Sequence, residues 1–345
     1  MKLQSRSAGI DAIRVAGIAA VIFGHVYSGP LSHQWIYPWH VPLFFVLTGY
    51  LWTPGRALDR EFRTRSRALA VPYLSWFAIV SCVFLALASL SGTPSVESLI
   101  GPLWGGARAA GPYGTFWFVS VLFFTAILYR LVENLPMPAL VGLAGAGLLF
   151  SSAAGPTLAG TPLGLGLAAP CLAFILAGRW FRQVEPGVRN PLLVGGLLLA
   201  AAATATAFLP LAEVDIKQGR FGTPVAGVLI SVGIAVGFLL VVQRIPLGRV
   251  ISRASLALAT VGIAVVLAHP LVITALRMHG LGARWILLAA VIIPWTVALL
   301  LRRTPLSAVL LGLPRASQSA RAIEPQGADT RSAAKSSMSG YSALR

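Results

Sequence analysis

An all-α integral membrane protein of about ten transmembrane helices, with both termini in the cytoplasm, is the fold this sequence predicts. Three observations predict it. The chain is 57% hydrophobic and only 11% charged, with a mean hydropathy of +0.80, which describes a protein dissolved in lipid. Its apolar residues gather in runs of bilayer-crossing length, and its basic residues fall mostly on one side once those runs alternate across the membrane.

The first run lies near residues 10–29. Asp11 and Arg14 interrupt its start, and no small-residue cleavage site precedes Trp35, so it reads as an uncleaved first helix rather than a signal peptide. Charge, glycine and proline then bound runs near 39–54, 69–91, 114–132, 137–153, 163–181, 191–210, 223–243, 255–276 and 284–302. The runs at 39–54 and 137–153 are the shortest.

With the N-terminus inside, fourteen basic residues before the tail fall on the inner side, among them Arg56, Arg60, Arg63, Arg65 and Arg67. Only Arg108, Lys217, Arg220, Arg277 and Arg284 fall outside. The charge-bias rule therefore favours this orientation in a plasma membrane, and the excess of arginine over lysine with abundant Ala and Gly reads as the codon bias of a GC-rich bacterium, hence an inner membrane. Residues 304–345 are rich in Ser, Ala, Arg and Gln and are expected to form a disordered basic cytoplasmic tail near anionic lipid. The net charge of +17 thus has its source in inner loops and tail, and nucleic acid is not an expected partner. Cys82 and Cys171 lie within apolar runs and suit packing, not a disulfide framework or a metal site.

Arg14 and His25 stand inside the first run, where ionisable groups are costly and mark a functional site by default. Eleven residues at about 100° each make roughly three turns plus 20°, so both side chains share one helix face about 16 Å apart. In the expected topology Arg14 lies near the inner edge. His25, His33, His40, His269 and His279 all fall in or on the outer half, with His33 and His279 expected to be exposed and uninvolved. Nearly every carboxylate maps to a loop: Asp59, Glu61, Glu133 and Glu185 inside, Glu97, Glu213 and Asp215 outside. No Ser-His-Asp arrangement can be read, and histidine acting with neutral partners remains.

An ordered series of segments carries a family likeness. It runs from IRVAGIAAVIFGH, ending at His25, through HVPLFFVLTGYL from His40 and RTRSRALAVPYLSW from Arg63 to Trp76, then FWFVSVLFF from Phe116 and AHPLV from Ala268. Spanning about residues 7–302, the series resembles the membrane-bound acyltransferase 3 family, above all its fucose 4-O-acetylase-like branch. Two positions depart. Thr48-Gly49 stands where members commonly have Ser-Gly, and TVGIAVVLAHP from Thr260 lacks the tyrosine that many members carry before the late His-Pro.

The resemblance implies an acyltransferase domain over residues 1–303 that moves an acyl group, usually acetyl from acetyl-CoA, to a hydroxyl of a carbohydrate, polysaccharide or glycosylated small molecule. No metal is implied. His25 and Arg14 become the catalytic candidates. Arg14 with Arg63, Arg65 and Arg67 is the candidate site for acyl-CoA, whose phosphates suit forked guanidinium groups. His40, His269 and Trp117 are candidates for holding the acceptor. Imidazole suits proton removal or acyl relay because its pKa lies near working pH. Each residue also has a duller role: an interhelical hydrogen bond for a histidine, snorkelling for Arg14, charge bias for the arginine run, an interfacial anchor for Trp117. A transporter or flippase using Arg14, His25 and His269 as a pathway is the competing class. It predicts repeated halves, yet the Arg/His run and the HVPLFF block each occur once.

Overall fold

The computed structural model describes residues 7–90 and 96–313. The protein is an all-α membrane protein. Among the described residues seven helices are long and apolar enough to cross a bilayer, and one bent helix pair makes an eighth if it forms a single span.

The first helix, α1 (Ala8–Val26), has nineteen residues and a length of about 28 Å, close to the hydrocarbon thickness. The next stretch of chain departs from the expected span at 39–54. Three short helices replace it: α2 (Pro30–Trp35), α3 (Tyr37–His40) and α4 (Pro42–Tyr50). Each has a proline at its first or second position, where the missing N–H interrupts a helix arriving from before it. At about 13 Å, α4 alone is shorter than the hydrocarbon thickness; with α3 it leads from His40, beside His25, to Tyr50, which meets Gln243 next to Gly9 at the other end of α1.

Helix α5 (Leu58–Arg65) runs through a π turn at Ser66–Ala70 into α6 (Val71–Leu90). The Val71 N–H reaches back five residues to the Ser66 carbonyl, a bulge placed just before Pro72, which has no N–H to give. After the short α7 (Ile100–Trp104) come α8 (Phe116–Val132), α9 (Met137–Ala159) and α10 (Ala168–Val184). Expected to end near 153, α9 continues to Ala159 through a kink at Ala154, two residues before Pro156.

Gly49 of α4 and Gly178 of α10 face each other so closely that a Cβ on Gly49 would overlap the Ile175 carbonyl and one on Gly178 the Val46 carbonyl. Two helix backbones touch here without side chains between them, as small residues permit in membranes.

The link between α11 (Pro191–Phe208) and α12 (Ala226–Val242) carries a two-stranded antiparallel ladder, β1 (Val214–Asp215) with β2 (Arg220–Phe221). Gly219 turns it in the left-handed region, φ +72°, and its backbone presses directly on Gly155 of α9. No other residue meets both demands.

Helices α13 (Arg249–Thr260) and α14 (Gly262–Met278) meet at a 69° bend where one run, 255–276, was expected. Then α15 (Ala283–Leu301) leads to a short α16 (Ser307–Leu310). Residues 304–313, expected to open the tail, are packed: Leu310 and Leu311 are buried and Trp76 Nε1 donates to the Leu310 carbonyl at 2.9 Å. Their leucines and Val309 form an apolar patch within an otherwise polar segment. The remainder of the expected tail, like Lys2 and Arg6, lies outside the described residues.

Candidate active site

His25 occupies the last turn of α1. Its ring stands edge-on to that of His269, centroids 5.3 Å apart. On another side lies Gly114, where a Cβ would come 3.5 Å from Cε1 and 3.7 Å from Nδ1 of His25. The helix end that holds it is capped from α14: Arg277 Nη2 donates to the carbonyls of His25 at 3.0 Å and Val26 at 2.9 Å. Those carbonyls have no donor within their own helix and carry its negative dipole end, so a guanidinium suits them.

His269 is fully buried in α14. Its Nδ1 lies 3.0 Å from the Val265 carbonyl oxygen. A carbonyl only accepts, so Nδ1 carries a proton, and in the neutral ring Nε2 is then the bare nitrogen. That Nε2 has no hydrogen-bond partner among the described residues. The same logic fixes His40, whose Nδ1 lies 2.8 Å from the Ile36 carbonyl. Both histidines are thus anchored to their own helices with one basic nitrogen left.

Pro270 explains a further bond. Without an N–H it leaves the Val266 carbonyl, four residues back, without its helical donor. Thr115, at the start of α8, fills the gap: its Oγ1 donates to that carbonyl at 2.6 Å. The bond pins the start of α8 to the turn that presents His269. Thr115→Val is expected to leave a buried carbonyl unsatisfied and to lower stability by about 1–3 kcal/mol, measurable as a lower unfolding midpoint in detergent, with Thr115→Ser restoring it.

A cavity of about 360 Å³ opens beside these groups, lined by His25, His40 and Trp117 together with Tyr37, Phe44 and Thr115. The link between α11 and α12 supplies another wall, Val214 to Gln218, and Arg277 completes it. Three of the expected site residues, His25, His40 and Trp117, therefore share one cavity, and His269 touches it through the His25 ring. Among the described residues no carboxylate lies within ion-pair reach of His25. Asp215, expected in an outer loop, lines the cavity. Burial raises its carboxyl above the ordinary range, and Arg220 at 3.8 Å works against that rise.

Arg14 does not line this cavity; it lies three turns away on the same helix and bonds Asp11 at 3.3 Å. The arginine run divides. Arg63 is exposed beside Asp59 at 3.0 Å and Arg67 is exposed. Arg65 instead donates from Nε to Glu61 at 2.8 Å, while Arg56 and Arg130 bond the same carboxylate at 2.8 and 3.4 Å. Glu61, expected in a loop, is 1% exposed at the centre of this network. Arg130 extends it to Glu133 and over the Trp52 ring at 4.3 Å. Three guanidinium groups converge because a buried carboxylate must be paired. His33 also differs from expectation: it stacks on Tyr37 at 3.9 Å and pairs with Glu213, tying α2 to the link before α12. His279 is exposed, just beyond α14.

A family model described as an acyltransferase domain, Acyl_transf_3, matches residues 7–303. The chain belongs to this family. No curated protein and no solved structure matches it. Within the acyltransferase, Lys217, Asp215, Arg277, Tyr37, Gly114 and Thr115 are cavity residues that the sequence did not single out. A signal for two of them was present: Lys217 and Arg277 are among the five exceptions to the charge bias.

Proposed function

We propose that the protein is an O-acyltransferase, akin to the fucose 4-O-acetylase-like branch, that moves an acyl group from cytosolic acyl-CoA to a hydroxyl of a carbohydrate or glycosylated acceptor. Acetyl is the proposed group and acetyl-CoA the donor. The observation that carries this reading is His25 at a cavity beside Trp117 and His269, on the helix whose other end carries Arg14.

Phosphates of the donor bind at the Arg14 end, with the exposed Arg63 and Arg67 as further cations; Arg65 stays with Glu61. The charge bias supports a cytoplasmic place for that end, in what we take to be a bacterial inner membrane. The pantetheine arm covers about 16 Å along α1, past the buried side chains of Ile18 and Val21, so that the thioester reaches His25. His25 takes the proton of the acceptor hydroxyl as its oxygen attacks the thioester carbon. The carbon–sulfur bond breaks, CoA leaves as thiolate, and the proton passes from His25 to that sulfur. His269, neutral and held by the Val265 carbonyl, keeps the His25 ring in place. His40 and Trp117 face the acceptor, the indole offering a stacking surface for a sugar ring.

Arg14→Ala is expected to raise KM for acetyl-CoA about tenfold or more with a smaller change in kcat, the loss of one charge-assisted phosphate contact. Release of free CoA by purified protein in lipid nanodiscs, with glycans from the native cell as acceptor, measures it. An unchanged KM would remove Arg14 from the donor site. Absence of any CoA release by the wild-type protein would remove the transferase reading.

A further inference from the structure

The cavity also holds charges, beside the imidazoles, that acyl transfer to a neutral sugar does not use. Lys217 and Arg277 both line it. Lys217 Nζ donates to the Ala109 carbonyl at 2.6 Å, and Arg277 to the carbonyls of His25 and Val26. Among the described residues neither has a carboxylate within ion-pair distance. Asp215 is turned to Arg220, and Glu213 to Arg220 and His33. Asp215 lines the cavity too, but its ion pair is with Arg220, so Lys217 of the link and Arg277 of α14 face the cavity without an ion pair of their own.

For Lys217 such an arrangement is costly without a ligand, while Arg277 is exposed and brings its charge from the rim. Withdrawing a cation from water disfavours its charged form unless an anion joins it. Burial pulls the Lys217 ammonium below the ordinary lysine range, and Asp215 restores part of the loss. Donors also remain: an ammonium has three and a guanidinium five, of which carbonyl bonds occupy few. Both cations sit at the His25 end of α1, about 16 Å along the axis from Arg14. The phosphates of the donor are held at the other end, and the acyl group that reaches His25 is uncharged. A bound anion at this wall, besides the protein's own Asp215, therefore belongs to the acceptor.

We infer that the acceptor is an acidic sugar, whose carboxylate or phosphate seats against Lys217 and Arg277 while a ring hydroxyl meets His25. This rests on the acyl-transfer reading and adds the charge of its substrate. Guanidinium binds either group in a forked geometry, and Trp117 and Tyr37 offer faces for the ring.

Matched probes test it on the full-length protein in nanodiscs: methyl glucuronide against methyl glucoside for a carboxylate, and glucose 6-phosphate against glucose for a phosphate. Binding is measured directly, and CoA release from acetyl-CoA is followed in parallel. At least one acidic probe is expected to bind about tenfold or more tighter than its neutral partner, with a preference that shrinks as salt rises. Lys217→Gln is expected to erase most of that preference and Lys217→Arg to keep it, both folding with an unchanged unfolding midpoint. Equal binding of neutral and acidic members by the wild-type protein overturns the inference, as does a preference that survives Lys217→Gln. CoA release with neutral sugars preferred overturns the acidic seat alone. Tight binding of an acidic probe with no CoA release under any condition keeps the seat and overturns the transferase.

Discussion

His25→Ala lowers kcat for acyl transfer by about 10²–10⁴-fold, the range that a positioned general base supplies. The protein should survive the change. His25 is only partly buried, and the Arg277 bonds that close the end of α1 go to backbone carbonyls, which alanine retains. KM for acetyl-CoA should move little, because the donor's charged groups lie about 16 Å away. That split between kcat and KM separates His25 from Arg14, whose loss acts mainly on KM. His269→Gln should fall between: it keeps a polar group against the Val265 carbonyl and loses the ring that stands edge-on to His25. Full transfer by a folded His25→Ala protein would sink the base assignment.

The largest structural effect is expected at Gly178. Gly178→Ala places a methyl group within the Val46 carbonyl, and Gly49→Ala does the same to the Ile175 carbonyl. Overpacking a core costs about 1–3 kcal/mol when side chains can yield. Here the obstacle is backbone on both sides, so α4 and α10 must separate or shift, and α4 is held in place by Phe45 against Phe174 and by Tyr50 against Phe181. No folded protein should be recovered from membranes carrying Gly178→Ala, judged by a monodisperse peak after detergent extraction. Gly196→Ala in α11, where nothing lies within reach of a new Cβ, is the matched control and should behave as wild type. A monodisperse, active Gly178→Ala protein would show that the two backbones can part at little cost.

Much of this was legible along the chain because lipid leaves few choices. A long apolar run must be a helix, and an arginine or histidine inside it needs a reason. That argument reached α1, Arg14, His25 and His269, and the family likeness added His40 and Trp117. What it missed depends on distant partners. Glu61 looked like a loop carboxylate because Arg130, sixty-nine positions later, is what buries it. The run at 39–54 read as one helix by hydropathy, which does not register the break at Pro42 or the packing of α4 on α10. Thr115 carried no local mark, because its task is to serve a carbonyl orphaned by Pro270 on another helix. The short apolar patch within residues 304–313 was submerged in the polar composition of the longer segment 304–345.

The division of the cavity between two kinds of backbone has a consequence for how such a protein diversifies. His25, His269 and Trp117 come from long helices whose places are set by packing, whereas Val214 to Gln218 come from a short link pressed on α9 at a single glycine. Connections of this sort tolerate change far better than the elements they join. Selection can therefore rewrite the link between α11 and α12, and with it the charge presented to an incoming sugar, while the reacting helix is inherited intact.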